Sequence, residues 1–229
     1  MQQLFEKSRD VDDRVFRNIV SLRATEDLFD DLVRDDPSIT DVAYATEMRI
    51  KESIPSGHIS RSFHYSTAIG YPFTTEPFMA SRYGDGTFPV WYGSLELETT
   101  IHETVFHMVR DIQNIAGIDE PVIRERAVYT VACQALLLDL AGKEKTHPNL
   151  VADAYAYTQE IGRRLHREGH PGLLAPSARY QGINVVIFNE KVLRNPLNHC
   201  YLLYRYDPAR QYVEVERTLG EVFLTIPAG

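Results

Sequence analysis

The sequence has little of several features that mark particular protein classes. Its 229 residues include only two cysteines, Cys133 and Cys200, which lie far apart in apolar, strand-like runs. This pattern indicates reduced core thiols, and it excludes a disulfide framework or a cysteine-ligated metal site. No run of 18 uninterrupted apolar residues occurs, and the N-terminal stretch MQQLFEKSRDVDDR lacks the apolar segment of an export signal. We therefore expect a cytoplasmic protein without a membrane span.

Positive charge is also scarce. The chain has 24 Lys and Arg against 32 Asp and Glu, a formal net charge of −8. Such a protein has no broad positive field to attract nucleic acid or an anionic membrane, so we expect no direct binding to either. An anionic ligand must instead be held by a few placed cations. With 44% hydrophobic residues, the chain can bury one sizeable core.

The hydrophobic pattern predicts one α/β (α+β) domain over residues 51–229, preceded by an N-terminal helical extension over residues 1–50. Apolar residues at helical spacing predict a helix over residues 11–36. A second helix follows Ser94 as its N-cap, with Leu97, Ile101, Val105, Met108 and Ile112 as its apolar stripe. Residues 149–168 predict a third helix. Strands are predicted at 88–93, over 125–142, twice within 172–188, and in a hairpin about Asp207-Pro208.

The stretch IHETVFH resembles the zinc-helix motif His-Glu-x-x-His, in which the two histidines are four residues apart. Here His102 and His107 are five apart, so on a helix they point about 140° away from each other. One metal ion cannot reach both without unwinding the turn between them. We therefore predict no metal site here. By periodicity alone, Glu103 lies opposite the apolar stripe and is interpreted as a solvated glutamate.

Two other motifs are incomplete. Ser177 has no Gly-x-Ser-x-Gly elbow around it, so a serine-hydrolase nucleophile is not indicated. Gly84 and Gly86 lack the third glycine and the strand-then-helix context of a dinucleotide fingerprint.

The spacing of three residues is more informative. Arg82 is followed by an aromatic residue, Tyr83; Tyr92 lies ten residues after Arg82, and Glu103 lies eleven after Tyr92. This block resembles the centre of the RES domain family, which has an Arg followed by an aromatic residue, a Tyr closing the next strand and a Glu on the following helix, at the same spacing.

Outlying segments agree with the resemblance, which covers roughly residues 55–190. Arg61 stands where the family has an earlier arginine, and Ser177 follows Pro176 in the family's setting of a Pro-Ser pair before an apolar strand. The chain departs at Ala80-Ser81-Arg82-Tyr83-Gly84, where many members have Gly-Gly-Arg-Trp-Asn, and its first fifty residues exceed the minimal domain.

The resemblance implies an ADP-ribosyltransferase-like fold with a mixed or antiparallel sheet and flanking helices. It also implies cleavage of the nicotinamide–ribose bond of NAD, with no cofactor beyond NAD as substrate and inorganic phosphate as a candidate co-substrate. In this interpretation Glu103 stabilises the developing positive charge on the ribose, and Arg61 and Arg82 bind phosphates. Tyr92 offers a flat face to the nicotinamide ring and a hydroxyl that can anchor a phosphate or ribose. Ser177 contributes a hydrogen bond to the ligand and is not a nucleophile. Tyr83, Asn184 and Arg179 are further candidates.

The resemblance further implies a toxin of a toxin–antitoxin pair, with an Xre-type DNA-binding antitoxin as partner and homo-oligomerisation left open. Two other functions stay open at this point. The chain could transfer ADP-ribose from NAD to a protein, or it could be a catalytically silent protein that binds an antitoxin through its N-terminal segment. The acceptor for the ribosyl group, phosphate or water, is also undecided by the sequence.

Overall fold

A computed structural model describes residues 2–21, 66–74, 76–115 and 117–228. Its strands are β1 Ser8–Val20, β2 Trp91–Ser94, β3 Val122–Asp139, β4 Gly172–Pro176, β5 Ile183–Ile187, β6 Leu193–Asp207, β7 Tyr212–Thr218 and β8 Glu221–Pro227. They form one mixed sheet in the order β1-β2-β5-β4-β3-β6-β7-β8. The prediction of an α+β domain with a mixed sheet is confirmed.

Part of this sheet closes on itself. β1 pairs with β3 at thirteen successive positions, from Ser8 opposite Leu138 to Val20 opposite Arg126. β1 also meets β2, β2 pairs with β5, and β5 pairs with β4. β4 then pairs in parallel with the end of β3, which completes a ring of five strands. β6, β7 and β8 extend antiparallel from the other part of β3.

Three α-helices flank the sheet in the described part of the chain: α1 Tyr71–Thr74, which follows a π-helical turn at Ser66–Gly70, α2 Leu97–Gln113 and α3 Ala156–Arg167. In α2, the buried apolar residues are spaced by four, four and three positions, so they form one stripe against the sheet. They are Ile101, Val105, Val109 and Ile112, and they pack with Val128, Leu202, Tyr204, Val213 and Val215.

Helix α3 lies very close to the loop that precedes β2. Its Gly162 faces the main chain of Tyr83, and a Cβ atom added at Gly162 would collide with the Tyr83 carbonyl oxygen. Only glycine permits this approach. On the same helix, Ile161 and Leu165 are buried in a second core with Leu173 of β4. The loop from Ser81 to Val90 is therefore fixed against a rigid element.

Several predicted elements are confirmed. β3 overlaps most of the predicted 125–142 segment, β4 and β5 lie in 172–188, and β6 and β7 form the hairpin about Asp207-Pro208. Both cysteines are free, Cys133 buried and Cys200 half-buried, and burial raises the pKa of Cys133 to about 11. No helix in the described ranges combines the length and apolarity needed to cross a membrane.

Other predictions are wrong. The helix predicted from residue 11 is a strand up to Val20, and this strand pairs along β3. For these residues there is consequently no appended helical extension; the remainder of the predicted helix, and Arg61, lie outside the described residues. The third helix starts at Ala156 rather than at 149. Ser94 is not the cap of α2, because the N-cap position is Glu96 and Ser94 ends β2.

Candidate active site

The site is centred on the carboxylate of Glu103 in the middle of α2. Glu103 is half-buried and belongs to none of the apolar clusters. Its Oε1 accepts one hydrogen bond from Ser177 Oγ at 2.7 Å and one from Asn184 Nδ2 at 2.7 Å. Ser177 directly follows β4 and Asn184 lies in β5, so the end of the β4–β5 hairpin holds this carboxylate. The interpretation of Glu103 as a solvated glutamate, which rested on periodicity alone, is therefore wrong.

The direction of the Ser177 hydrogen bond is determined by its other contacts. Ser177 Oγ accepts from the main-chain N–H groups of Arg179 and Tyr180, each at 3.1 Å. A hydroxyl has one hydrogen to donate, and Oε1 of Glu103 is the acceptor beside it. Ser177 thus orients the glutamate, whereas the sequence interpretation had this hydroxyl donate to the ligand.

Asn184 is oriented by a residue that sequence reasoning missed in this role. Ser94 Oγ donates to Asn184 Oδ1 at 2.7 Å, and Ser94 is only 2% exposed. Because the amide oxygen is occupied by Ser94, the amide nitrogen faces Glu103. Two successive hydrogen bonds, which we call the relay, therefore connect Ser94 at the buried end of β2 through Asn184 to the Glu103 carboxylate. Asn184 is 81 positions from Glu103 and 90 from Ser94, so no local motif signals these contacts.

The loop that carries Arg82 is fastened by Tyr92. The Tyr92 hydroxyl accepts from the main-chain N–H of Tyr83 at 2.8 Å and lies 2.9 Å from Ser81 Oγ. Burial raises the pKa of Tyr92 to about 12, so it stays protonated at neutral pH. Its hydroxyl is thus used to hold the loop, whereas the sequence interpretation assigned this hydroxyl to a phosphate or ribose of the ligand.

Arg82 points from this loop to the segment before α3. Its Nη1 donates to the carbonyl oxygen of Ala152 at 2.6 Å and is 3.4 Å from that of Leu150. Its guanidinium carbon lies 4.7 Å from the centre of the Tyr155 ring. These contacts use one nitrogen and one face of the guanidinium and hold its position.

Tyr83 is the most buried of the predicted site residues that the structure describes, with 1% of its surface exposed. Its main-chain N–H bonds Tyr92, but its own hydroxyl is buried without a hydrogen-bond partner among the described residues. Burial raises the pKa of Tyr83; the neighbouring Tyr92 raises it further and Arg82 lowers it.

The sequence matches the RES domain family over residues 46–213, which is more than half of the chain. The chain belongs to the RES domain family. The match confirms the resemblance inferred from Arg82, Tyr92 and Glu103, and its range also includes Arg61 and Ser177. β1 and β8 lie outside the matched residues, although both are strands of the sheet.

No curated protein matches this RES domain. Among solved structures, one similar chain comes from the M. tuberculosis MbcT-MbcA toxin-antitoxin complex, with 11% sequence identity and a TM-score of 0.41. The alignment covers 84% of the RES protein and 86% of that chain.

The two histidines that flank Glu103 contact different groups. The ring of His102 stacks on Tyr180, with ring centres 4.4 Å apart, and His107 Nδ1 lies 3.4 Å from Arg110 Nη2. Burial lowers the pKa of both histidines. In the portion of the RES domain that the structure describes, no three His, Cys, Asp or Glu side chains come together as a metal site.

Proposed function

We propose that this RES domain cleaves the bond between nicotinamide and ribose in NAD. The observation that carries the proposal is the placement of Glu103, a carboxylate off the apolar face of α2 that is oriented through one oxygen by Ser177 and Asn184. Membership of the RES domain family supports the same chemistry. Both donors hold Oε1, so Oε2 is the oxygen that we assign to the substrate.

The chemistry requires such a group. As the bond from C1′ to the nicotinamide nitrogen breaks, its electron pair goes to the nicotinamide, which leaves as a neutral molecule. The ribose is left with oxocarbenium character, so positive charge develops near C1′ and its ring oxygen. A fixed carboxylate beside this charge stabilises the transition state more than the ground state, which is the requirement for raising the rate.

The acceptor completes the reaction. An oxygen of inorganic phosphate or of water forms the new bond to C1′ and loses a proton to solvent, giving ADP-ribose 1″-phosphate or ADP-ribose. The pyrophosphate of NAD must be bound by cations in a protein of net charge −8. We assign this role to Arg82, whose guanidinium is already positioned by Ala152 and Tyr155, and to Arg61.

We further propose that the protein is the toxin of a toxin–antitoxin pair and that its partner is an Xre-type DNA-binding antitoxin, as the family resemblance implies. Co-expression with the product of an adjacent gene of that type, followed by purification, tests the pairing. We expect the two proteins to elute together and NAD cleavage to fall. Separate elution with unchanged cleavage would count against the pairing alone.

The test of the enzymatic proposal is product identification. Purified protein is incubated with NAD, with and without phosphate, and the products are separated and identified by mass spectrometry. We expect release of nicotinamide in both cases if water is an acceptor, and only with phosphate if the reaction is a phosphorolysis. Attachment of ADP-ribose to a protein would show a transferase, and absence of nicotinamide under all conditions would refute NAD cleavage.

A further inference from the structure

Arg179 is bonded to Ser177, the residue that donates to Glu103, and its guanidinium is held in place by an aromatic ring. Its main-chain N–H donates to Ser177 Oγ, the same hydroxyl that donates to Glu103. Its guanidinium carbon lies 3.4 Å from the centre of the Phe106 ring, and Phe106 is one turn after Glu103 on α2. The cation is therefore held against Phe106, on the same face of α2 as Glu103, before any ligand arrives.

The guanidinium of Arg179 is paired with an acid on a neighbouring segment. Nη2 of Arg179 donates to Asp153 Oδ1 at 2.6 Å, through one nitrogen of the fork. The two side chains differ in exposure, 18% for Arg179 and 83% for Asp153. The arginine is thus the fixed partner, and the aspartate reaches it from solvent.

Arg82 contacts the same segment as Arg179. It bonds the carbonyl oxygen of Ala152, the residue directly before Asp153. The hydrogen bond and charge of Arg179 lower the pKa of the Asp153 carboxyl, and the charges of Arg82 and Arg110 lower it further. The exposed Asp153 carboxylate therefore bonds Arg179 directly and follows the residue whose carbonyl oxygen binds Arg82.

We propose that Arg179 and Arg82 form an anion site for a phosphate group of the ligand, and that the Asp153 carboxylate occupies Arg179 in the free protein until that phosphate displaces it. The identification of the ligand as NAD, whose pyrophosphate would enter this site, rests on the proposed function. The anion site itself rests on the contacts of Arg179, Arg82 and Asp153.

Displacement is physically reasonable because the two competing anions differ. An exposed, singly bonded ion pair contributes little net stability, since solvent screens it and the side chain loses entropy to form it. A phosphate group presents several oxygens to the guanidinium fork and can bind it in bidentate fashion. Asp153 therefore lowers the apparent affinity for an anion by occupying its binding group, and removing its charge removes this competition.

The experiment is calorimetric titration of inorganic pyrophosphate into the full chain. Four proteins are compared with wild type: Asp153→Asn, Arg179→Gln, the double variant, and Glu168→Gln as a matched control. Glu168 is a partly exposed acid that pairs with Arg164 at 2.8 Å at the end of α3, so the control removes the same charge from another ion pair. Thermal unfolding of each variant establishes that it is folded.

We expect Asp153→Asn to bind pyrophosphate about two- to five-fold more tightly than Glu168→Gln, the factor expected for loss of an exposed ion pair. Arg179→Gln should weaken binding, and adding Asp153→Asn to Arg179→Gln should give no gain. Equal affinities for Asp153→Asn and Glu168→Gln, or a gain that persists without Arg179, would overturn the inference.

These outcomes are separable from the proposed function. If the pyrophosphate affinities follow the expectation but no nicotinamide is released from NAD, the anion site stands and NAD cleavage fails. If NAD is cleaved but Asp153→Asn binds pyrophosphate no more tightly than the control, the enzyme proposal stands and the displacement by Asp153 is wrong.

Discussion

The two faces of helix α2 have opposite surroundings. One face carries Ile101, Val105, Val109 and Ile112, all at most 5% exposed and packed on β3, β6 and β7. The other face carries Glu103 and Phe106, which contact Ser177, Asn184 and Arg179. The first face contacts apolar side chains of long strands, whereas the second contacts hydrogen-bonding groups at the end of one hairpin.

This difference separates two properties within a single element. Burial of the apolar face stabilises the fold in proportion to the area removed from water. The Glu103 face contributes little apolar burial, and its hydrogen bonds fix a carboxylate in position. Substitutions on the apolar face should accordingly change the free energy of unfolding. Substitutions on the Glu103 face should change the rate of NAD cleavage.

The largest effect is expected for Glu103→Gln. The amide keeps an oxygen for Ser177 and Asn184 but loses the negative charge, so we expect NAD turnover to fall by about 10²-fold or more. The thermal midpoint should stay close to that of wild type. Glu98→Gln, an exposed change on the first turn of α2, is the matched control and should turn over NAD normally. A Glu103→Gln enzyme as fast as this control would remove the catalytic role.

The next effect is on the apolar face. Ile101 is fully buried, and we expect Ile101→Ala to lower the free energy of unfolding by about 2–5 kcal/mol through lost burial and the cavity it leaves. Ile101→Val should lower it by about 0.5–1.5 kcal/mol. Urea denaturation gives both values. Turnover per folded molecule should be kept; a loss of turnover as large as that of Glu103→Gln would show that the two faces are not separable.

A smaller effect is expected for the phosphate-binding arginines. Arg82→Lys keeps the charge but loses the planar fork, so NAD affinity should weaken by about 1–3 kcal/mol, with a smaller change in the single-turnover rate. The same is expected for Arg61→Lys. Calorimetry beside single-turnover kinetics distinguishes the two quantities. If both variants bind NAD as tightly as wild type, neither arginine binds the pyrophosphate.

The smallest effect is expected for Ser94→Ala, which acts on Glu103 only through Asn184. Loss of one hydrogen bond is worth about 0.5–1.5 kcal/mol, so turnover should fall by roughly two- to ten-fold. In an Asn184→Ala background, Ser94→Ala should cause no further loss of turnover, since the relay is already broken. Additive losses in that double variant would show that Ser94 acts by another route.

The sequence predicted helix α2 well but β1 badly, for a physical reason. On α2, apolar residues recur with helical spacing, and a helix 17 residues long presents this pattern clearly. In β1, apolar residues recur every four positions, at Val11, Val15 and Ile19. Residues four apart lie on one face of a helix, and they also lie on one face of a strand, where side chains alternate with a period of two. Pairing with β3, more than a hundred residues away, decides between the two.

The site was only partly predictable for a similar reason. The spacing of Arg82, Tyr92 and Glu103 is local and carries the family resemblance. The bonds of Asn184 to Glu103 and of Ser94 to Asn184 join β5 to α2 and β2 across 81 and 90 positions. Because β2 and β5 are neighbours in the sheet, these contacts exist only after the sheet has formed.

The most direct measurement is a crystal structure of the Glu103→Gln variant with NAD bound, which slows cleavage while keeping the hydrogen-bonding shape of the site. We expect C1′ of the nicotinamide-bearing ribose to lie about 3–4 Å from the side chain of residue 103, the range of reacting groups in a productive complex. The pyrophosphate should contact Arg82, with Ser177 and Asn184 still bonded to the amide oxygen. NAD bound elsewhere on the protein, or with its nicotinamide ribose remote from residue 103, would show that this face of α2 is not the active site.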